Sequence, residues 1–251
     1  MTVADPEGAR TGYVHSYETG GAVDGPGVRF VLFMNGCQMR CRYCHNPDTW
    51  KEKSGRRQTV AQTAADIGKY APFLQAAGGL TISGGEPLVQ ADFVGALARR
   101  VKDEHGLHVA LDTNGAFAGR LPDRWFDPVD LVLLDLKHID PGRHQALTGT
   151  PLVPVLESAR RLARMGMPLW IRYVLVPGWT DGEDEVERMA DFVVRLPTVE
   201  RVEVLPFHNM AAYKWEAMAG SRYALADTPP PTLEAEARVR ARFTARGLAT
   251  V

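Results

Sequence analysis

Three cysteines lie within a stretch of eight residues, and the chain has no others. Three residues separate Cys37 from Cys41, and two separate Cys41 from Cys44. An odd number of closely spaced thiols does not suit a disulfide framework and is typical of a metal or cluster site. A cubane iron-sulfur cluster takes one thiolate per iron, so three thiolates leave one iron open to another ligand. The spacing therefore predicts an incompletely ligated cluster that can bind a second molecule.

Zinc is the alternative occupant of this loop. Zinc sites made of three Cys and one His are common, and His45 directly follows Cys44. However, the sequence lacks the two short ligand pairs with a long gap between them that zinc sites usually show. A zinc-binding interaction protein is therefore the alternative from a different functional class.

Composition and charge narrow the class of protein. The chain has 251 residues, of which 45% are hydrophobic and 24% charged, as in a globular protein large enough for one domain. With 29 basic and 30 acidic residues, nothing suggests nucleic acid as a partner. The chain has neither a signal-like start nor an apolar run of the ~20 residues that span a membrane. We therefore expect a cytoplasmic protein that does not contact membranes and keeps its thiols reduced.

The elements that must position the cysteine loop follow an alternating pattern. Strand-like and helix-like segments alternate along the chain, which predicts an α/β protein with a parallel sheet, either open and doubly wound or an incomplete barrel. We expect residues 1–251 to form one domain. Residues 1–27 would be an N-terminal entry segment that is rich in turns from residue 11, and residues 28–251 would form six βα units. The strands are predicted at 28–34, 80–83, 108–112, 131–136, 169–176 and 201–207. The helices are predicted near 59–76, 93–101, 153–165, 186–194 and 232–246.

Polar or flexible residues mark the end of every predicted strand. Binding residues of parallel α/β proteins gather at the carboxyl ends of the strands, so we expect these residues to share one site. In chain order they are the cysteine loop, Gly84 with Gly85, Asp112 with Thr113, Asp135 with Lys137, Arg172, and His208.

Several of these residues allow two interpretations. The glycine pair is either a turn or a stretch of backbone open to a ligand. Asp135 and Lys137 share one face of a strand; they either pair with each other or with Arg172, or they receive an amino-acid zwitterion, because unpaired buried charge is costly. Tyr43 either packs in the core or stacks on a purine. Six basic residues around the loop form a solvated face or dock an acidic electron donor: Arg40, Arg42, Lys51, Lys53, Arg56 and Arg57.

The cysteine loop with Tyr43 before its last cysteine, followed by Gly84-Gly85-Glu86-Pro87, resembles the radical S-adenosylmethionine (SAM) superfamily. Within it, the chain is most similar to the family of pyruvate formate-lyase-activating enzymes, which are activases of glycyl-radical enzymes. The segments that carry this narrower resemblance are 24–30, 43–50, 111–115, 134–137, 170–179, 205–208 and 214–215.

This resemblance implies a partial (β/α)6 TIM-like barrel with a 4Fe-4S cluster on Cys37, Cys41 and Cys44 and with SAM as the second cofactor. The implied activity is that of an oxidoreductase of anaerobic metabolism. It cleaves SAM reductively and abstracts hydrogen from a glycine Cα of pyruvate formate-lyase, which leaves a glycyl radical there. A different glycyl-radical enzyme or a small molecule is the alternative substrate. Flavodoxin or ferredoxin is the implied electron donor, and the chain is expected to be a monomer.

The resemblance also assigns roles to individual residues. Asp24 would lie near the incoming glycine loop. A monovalent cation, Na+ or K+, would bind Asp112, Thr113, Asp135 and the Leu133 carbonyl. SAM would contact Tyr43, His45, Gly84, Gly85, Asp135, Lys137, Arg172 and His208.

Overall fold

The computed structural model describes residues 5–218 and 223–251. Its described strands are β1 (Thr11–Gly21), β2 (Val28–Met34), β3 (Arg56–Thr59), β4 (Gly78–Gly84), β5 (Val109–Thr113), β6 (Leu131–Asp135), β7 (Leu169–Leu175) and β8 (Val199–Pro206). Its described helices are α1 (Val60–Gly68), α2 (Ala71–Ala77), α3 (Ala91–His105), α4 (Pro141–Thr148), α5 (Val153–Arg164), α6 (Glu183–Val193), α7 (Ala212–Glu216) and α8 (Leu233–Thr244).

The strands form a sheet in the order β3-β1-β2-β4-β5-β6-β7-β8. The pairs β2 with β4, β4 with β5, and β7 with β8 are parallel, whereas β1 is antiparallel to both β2 and β3. The predicted α/β class with a mostly parallel sheet is therefore confirmed, and all six predicted strands are present with ends shifted by a few residues. None of the described helices has the length and apolar character needed to cross a membrane.

The prediction of a turn-rich segment over residues 11–27 is wrong for most of its length. Residues 11–21 form β1, and only residues 22–27 form bends. The glycines at the end of β1 suggested turns, but the preceding residues alternate in burial, with Val14 fully buried against β2. Tertiary pairing outweighed the weak local signal here, as is usual for strands. The strand β3 and the helices α4 and α7 were not predicted either.

Two compact units make up the chain. The first unit comprises the described residues of Met1–Cys37, Thr49–Thr113 and Arg120–Val132. The second unit comprises Gln38–Asp48, Asn114–Gly119 and the described residues of Leu133–Val251. Each is built around fully buried strand residues, such as Leu32 and Leu80 in the first unit and Ile171 and Val202 in the second.

A fully buried arginine holds the sheet of the first unit together. Arg29, on β2, donates from Nε to the Thr81 hydroxyl at 2.9 Å and from Nη1 to the Gly78 carbonyl at 2.7 Å. It also donates to the carbonyls of Leu80 and His108. Burial lowers the pKa of Arg29 to about 10, which leaves it charged at neutral pH. Several otherwise buried carbonyls therefore depend on this one guanidinium.

We expect Arg29→Lys to destabilise the protein although the positive charge is kept. An ammonium cannot reproduce the planar set of donors, so buried carbonyls lose charged hydrogen bonds; we expect a loss of about 2–4 kcal/mol in the free energy of unfolding. Anaerobic urea denaturation measures this change. Arg195→Lys, at an exposed position, is the matched control. Equal stabilities of the two variants would contradict the role assigned to Arg29.

Candidate active site

The glycine pair lies where β2 and β4 end side by side in the first unit. A Cβ on Gly84 would lie 2.2 Å from the Met34 nitrogen, and a Cβ on Gly85 would lie 2.4 Å from the Gly36 oxygen. The Gly85 amide donates to the Met34 carbonyl at 2.9 Å, so the two backbones touch. Close packing of main chains therefore already explains both glycines. Their contact with SAM stays a prediction.

Backbone hydrogen bonds fix the start of the cysteine loop. The amide of Gly36 donates to the Thr49 carbonyl at 2.7 Å, and the amide of Cys37 donates to the Trp50 carbonyl at 3.3 Å. The chain thus leaves β2 at Gly36 and runs back beside the same point at Thr49. Cys37 is anchored by its main chain while its thiol is half-buried.

Polar side chains at the ends of β4 and β5 form a small network in the first unit. The Ser83 hydroxyl donates to Asp112 Oδ2 at 2.6 Å, and the Thr113 hydroxyl donates to Glu86 Oε1 at 2.7 Å. Glu86 is fully buried, and its carboxylate also accepts the Leu88 amide. Sequence reasoning gave Glu86 no role. Its signal was an acid placed between a buried strand and a proline, where a carboxylate needs donors.

The middle of the cysteine loop rests on the end of α4 in the second unit. The amides of Arg40 and Arg42 donate to the carbonyls of Thr148 and Leu147, at 2.8 and 3.0 Å. The last carbonyls of a helix have no partner within the helix, so the loop completes α4 and is positioned by it. The Cys44 amide then donates to the Cys41 carbonyl at 3.1 Å and forms a turn that contains both cysteines.

Asp135 and Lys137 pair with each other, which settles one of the open alternatives. Asp135 Oδ2 lies 2.9 Å from Lys137 Nζ, whereas Arg172 Nε lies 3.4 Å from Oε2 of Glu203. Burial alone would lower the pKa of Lys137, but the charge and hydrogen bond of Asp135, together with Tyr43 and Cys41, keep that pKa well above its ordinary value. Lys137 is therefore a firmly protonated cation in a partly buried place.

The ion pair lies next to the cysteine loop. Lys137 Nζ is 5.5 Å from the ring centroid of Tyr43, within the range of a cation-π contact. Burial raises the pKa of the Cys41 thiol, and Lys137 opposes this shift. The cation thus favours the thiolate form of Cys41, which is the form that an iron-sulfur cluster would require.

A pair of histidines lies at the other end of the loop. The rings of His45 and His208 stack with centroids 4.3 Å apart, and His45 Nε2 lies 3.2 Å from the His208 carbonyl. Burial, followed by the charge of His208, lowers the pKa of His45. His208 Nδ1 is buried without a hydrogen-bond partner among the described residues. Because a buried polar atom needs a partner, this nitrogen is consistent with a site that binds a polar ligand.

Helix α7 holds the last cysteine of the loop. Trp215 Nε1 donates to the Cys44 carbonyl at 2.9 Å, and the indole stacks on Tyr223 with centroids 5.0 Å apart. The neighbouring Lys214 donates to Asn46 Oδ1 at 2.8 Å. Although residues 214–215 belong to a segment that resembles the family, sequence reasoning gave them no role. The structure shows that they position the loop.

The donor set fits a cubane. In the described chain the three cysteines form no disulfide, so all three sulfurs can become thiolates. Over residues 5–218 and 223–251, no three His, Cys, Asp or Glu side chains are grouped to hold a metal ion. A cubane differs from a single-ion site because each thiolate binds a different iron. Thiolate ligands alone, on an anchored loop, match the soft-metal chemistry of iron and sulfide.

Other predicted residues are located as follows. Asp112 and Thr113 belong to the first unit, and Leu133 and Asp135 belong to the second, so a shared cation site stays a prediction. Asp24 belongs to the first unit, where its carbonyl accepts the Thr81 hydroxyl at 2.6 Å. Its expected closeness to a glycine loop also stays a prediction.

Comparison with known proteins identifies the family. Residues 31–193 match the radical SAM superfamily. A pyruvate formate-lyase-activating enzyme of Staphylococcus aureus strain USA300 is 44% identical over 232 residues, which cover 89% of this chain and 92% of the relative. The chain belongs to the radical SAM superfamily, in the family of pyruvate formate-lyase-activating enzymes. This family membership decides against a zinc-binding interaction protein, and it implies a 4Fe-4S cluster and SAM as the cofactors.

Solved structures agree with this family. A domain of a pyruvate formate-lyase-activating enzyme from Bacteroides vulgatus superposes with a TM-score of 0.57 at 27% identity, over 70% of this chain and 98% of that one. A radical SAM methyltransferase from Sphaerobacter thermophilus gives a TM-score of 0.66 at 18% identity, over 89% of this chain and 65% of that one. The second match supports the fold alone. The predicted radical SAM fold class is therefore confirmed for this activating-enzyme family member.

We expect Trp215→Phe to lower the amount of cluster the protein can assemble. The substitution keeps an aromatic ring against Tyr223 but removes the hydrogen bond to the Cys44 carbonyl, so the end of the loop is less ordered. Iron and sulfide analysis after anaerobic reconstitution measures the effect. Trp125→Phe is a matched control, because Trp125 Nε1 donates in the same way to the Ala91 carbonyl, at 3.0 Å, in the first unit. Equal cluster content in both variants would contradict this role of Trp215.

Proposed function

We propose that this chain activates pyruvate formate-lyase by reductive cleavage of SAM and hydrogen abstraction from a glycine Cα of that enzyme. The proposal is carried by one observation: within a family of activating enzymes, a partly buried Asp135–Lys137 pair lies beside a loop of three thiols. The thiols provide ligands for the redox group, and the ion pair provides complementary charges for the methionyl part of SAM.

The cluster would be held by Cys37, Cys41 and Cys44. When bound, it supplies the single electron that cleaves the sulfonium of SAM. The surrounding chain keeps this loop in place through main-chain bonds to Thr49, Trp50, Leu147 and Thr148, and through the indole of Trp215. Because these bonds involve backbone atoms, the thiols stay available to iron.

SAM recognition would use charges that are already arranged. Lys137 would face the methionyl carboxylate and Asp135 the ammonium group, so ligand contacts replace part of an existing ion pair. This exchange limits the cost of desolvating two charges, because both are already partly removed from water before the ligand binds. Tyr43, His45 and His208 offer aromatic surfaces for the adenine, and Arg172, Gly84 and Gly85 complete the proposed contacts.

Further parts of the proposal concern ions and partners. Asp112, Thr113, Asp135 and the Leu133 carbonyl would bind Na+ or K+, because hard cations prefer oxygen ligands. Asp24 would contact the glycine loop of pyruvate formate-lyase. Flavodoxin or ferredoxin would deliver the electron to a monomeric, single-domain activase in the cytoplasm, where thiols stay reduced.

We expect Lys137→Ala to weaken SAM binding about tenfold or more, which corresponds to ~1.4 kcal/mol, while the cluster still assembles. Cys41→Ala, in contrast, should abolish cluster assembly. Equilibrium binding of SAM and iron analysis give the two readouts. Lys102→Ala is the matched control, because Lys102 also forms an ion pair with an aspartate, Asp130, in the first unit. Full SAM affinity in the Lys137 variant would count against its assigned contact.

The activity itself is tested by electron paramagnetic resonance (EPR) under anaerobic conditions. The reconstituted protein is mixed with SAM, a chemical reductant and pyruvate formate-lyase, and we expect a glycyl-radical signal that is absent when the partner's radical glycine is replaced by alanine. A signal with another glycyl-radical enzyme only would reassign the partner. SAM turnover without any protein partner would instead favour a small-molecule substrate.

A further inference from the structure

We propose that residues 51–57, here called the basic turn, dock an acidic one-electron carrier protein, and that the electron enters the cluster site through Trp50 and Cys37. This inference rests on the proposed function, because it assumes a cluster on the cysteine loop. It assigns the electron-delivery step to one surface of the first unit. Of the six basic residues around the cysteine loop, Lys51, Lys53, Arg56 and Arg57 belong to the basic turn, whereas Arg40 and Arg42 belong to the loop itself.

The charge of the basic turn sets it apart from the rest of the chain. Residues 51–57 read Lys-Glu-Lys-Ser-Gly-Arg-Arg, four basic residues and one acidic residue, in a chain with a net charge of -1. The four basic residues and Glu52 are all exposed. A local patch of one sign steers an oppositely charged protein and speeds its association. The patch therefore fits a carrier with an acidic face.

Arg42, by contrast, is used within its own unit. Its Nε donates to the Ala146 carbonyl at 2.9 Å, and its guanidinium lies 4.9 Å from the ring centroid of Trp179. These contacts hold the middle of the cysteine loop on α4. The charge of Arg42 thus serves the loop, whereas the side chains of Lys51 and Lys53 extend into solvent.

The basic turn is held in a fixed shape. Asn35, which is 1% exposed, donates from Nδ2 to the Ser54 carbonyl at 2.9 Å, and the Ser54 hydroxyl donates to the Lys51 carbonyl at 2.7 Å. Gly55 has a φ of 76°, and a Cβ there would lie 2.2 Å from Asn35 Nδ2. A preorganised surface loses less entropy when a partner docks on it.

Lys53 carries backbone strain. Its φ is 54°, and in the part of the chain that the structure describes it is the only residue other than glycine with a positive φ. Such strain is tolerated where the surroundings enforce it, and it is concentrated at functional sites. A glycine or asparagine would fit this backbone with less strain, whereas the lysine places a positive charge at an exposed position.

The turn connects directly to a cluster ligand. Trp50 precedes Lys51, and its carbonyl accepts the Cys37 amide at 3.3 Å. The adjacent bond, from the Gly36 amide to the Thr49 carbonyl at 2.7 Å, holds the same two chain segments together. A single hydrogen bond therefore joins Trp50, which leads into the basic turn, to Cys37, which carries the first thiol. One electron passes from the reduced carrier to the cluster, and no bond or proton is exchanged.

The arginines of the turn have a simpler alternative role. Arg56 and Arg57 lie on β3, the edge strand of the sheet, where charged residues prevent association with other strands. Arg56 lies over the Tyr17 ring at 5.0 Å, and Arg57 donates to the Thr11 hydroxyl. The test therefore changes the two lysines, which precede β3 and leave these contacts intact.

The experiment compares two reductants. We expect Lys51→Glu/Lys53→Glu to lower the second-order rate of cluster reduction by reduced flavodoxin about tenfold or more at low salt, because electrostatic steering is reversed. The difference should shrink at high ionic strength. Reduction by dithionite should be unchanged, since a small reductant needs no docking surface. Stopped-flow absorbance of the cluster measures both rates.

Arg164→Glu/Arg195→Glu is the matched control, because it changes two exposed residues and the net charge by the same amount. An unchanged flavodoxin rate in the lysine variant would overturn the proposal, as would an equal loss in the control, which would indicate an effect of net charge alone. A loss with dithionite as well would show that the lysines are structural. Glycyl-radical formation by the dithionite-reduced wild type checks the proposed function separately.

Discussion

The close approach of two backbones at the ends of β2 and β4 is the constraint on which the start of the cysteine loop depends. Gly84 and Gly85 lie so near Met34 and Gly36 that neither position has room for a Cβ. Removing the side chains lets main-chain hydrogen bonds form directly, and these bonds fix where the chain leaves β2. These bonds therefore also set the direction in which the chain runs at Cys37. In the sequence, Gly84 and Gly85 suggested a stretch of backbone open to a ligand. The structure shows that both are required first by the close packing of the two main chains.

The second unit keeps two opposite charges close together in a partly buried place. Asp135 and Lys137 satisfy each other, and Lys137 in turn affects Tyr43 and Cys41. A partly buried pair of this kind contributes little to stability compared with apolar packing. Its charges are therefore better explained as preparation for a charged ligand. The same cation favours the thiolate form of Cys41, so one residue serves the cofactor ligand and the proposed SAM contact.

Much of the fold was predictable because its signals are local. The six predicted strands are short runs of apolar residues, and α3, α5, α6 and α8 show regular helical spacing of buried residues. The elements that sequence reasoning missed lack a clear local signal. β1 and β3 pair with each other across residues 22–55, and α4 has little amphipathic character, so none of these elements leaves a clear pattern in its own residues. Two of these elements contact the proposed functional segments, since α4 supports the cysteine loop and β3 carries part of the basic turn.

The sequence by itself determined the chemistry: the number and spacing of the thiols, the acid and base two residues apart on a strand, and the motifs that identify the family. These properties depend on residue types and short spacings, which the chain order preserves. Tertiary structure alone decided which charges pair, why both glycines are required, and which contacts the basic residues around the loop make. Asp135 pairs with Lys137, and Arg172 lies close to Glu203, 31 residues further along the chain on the neighbouring strand β8. Contacts between distant segments form only when the strands have paired, and a linear pattern does not contain them.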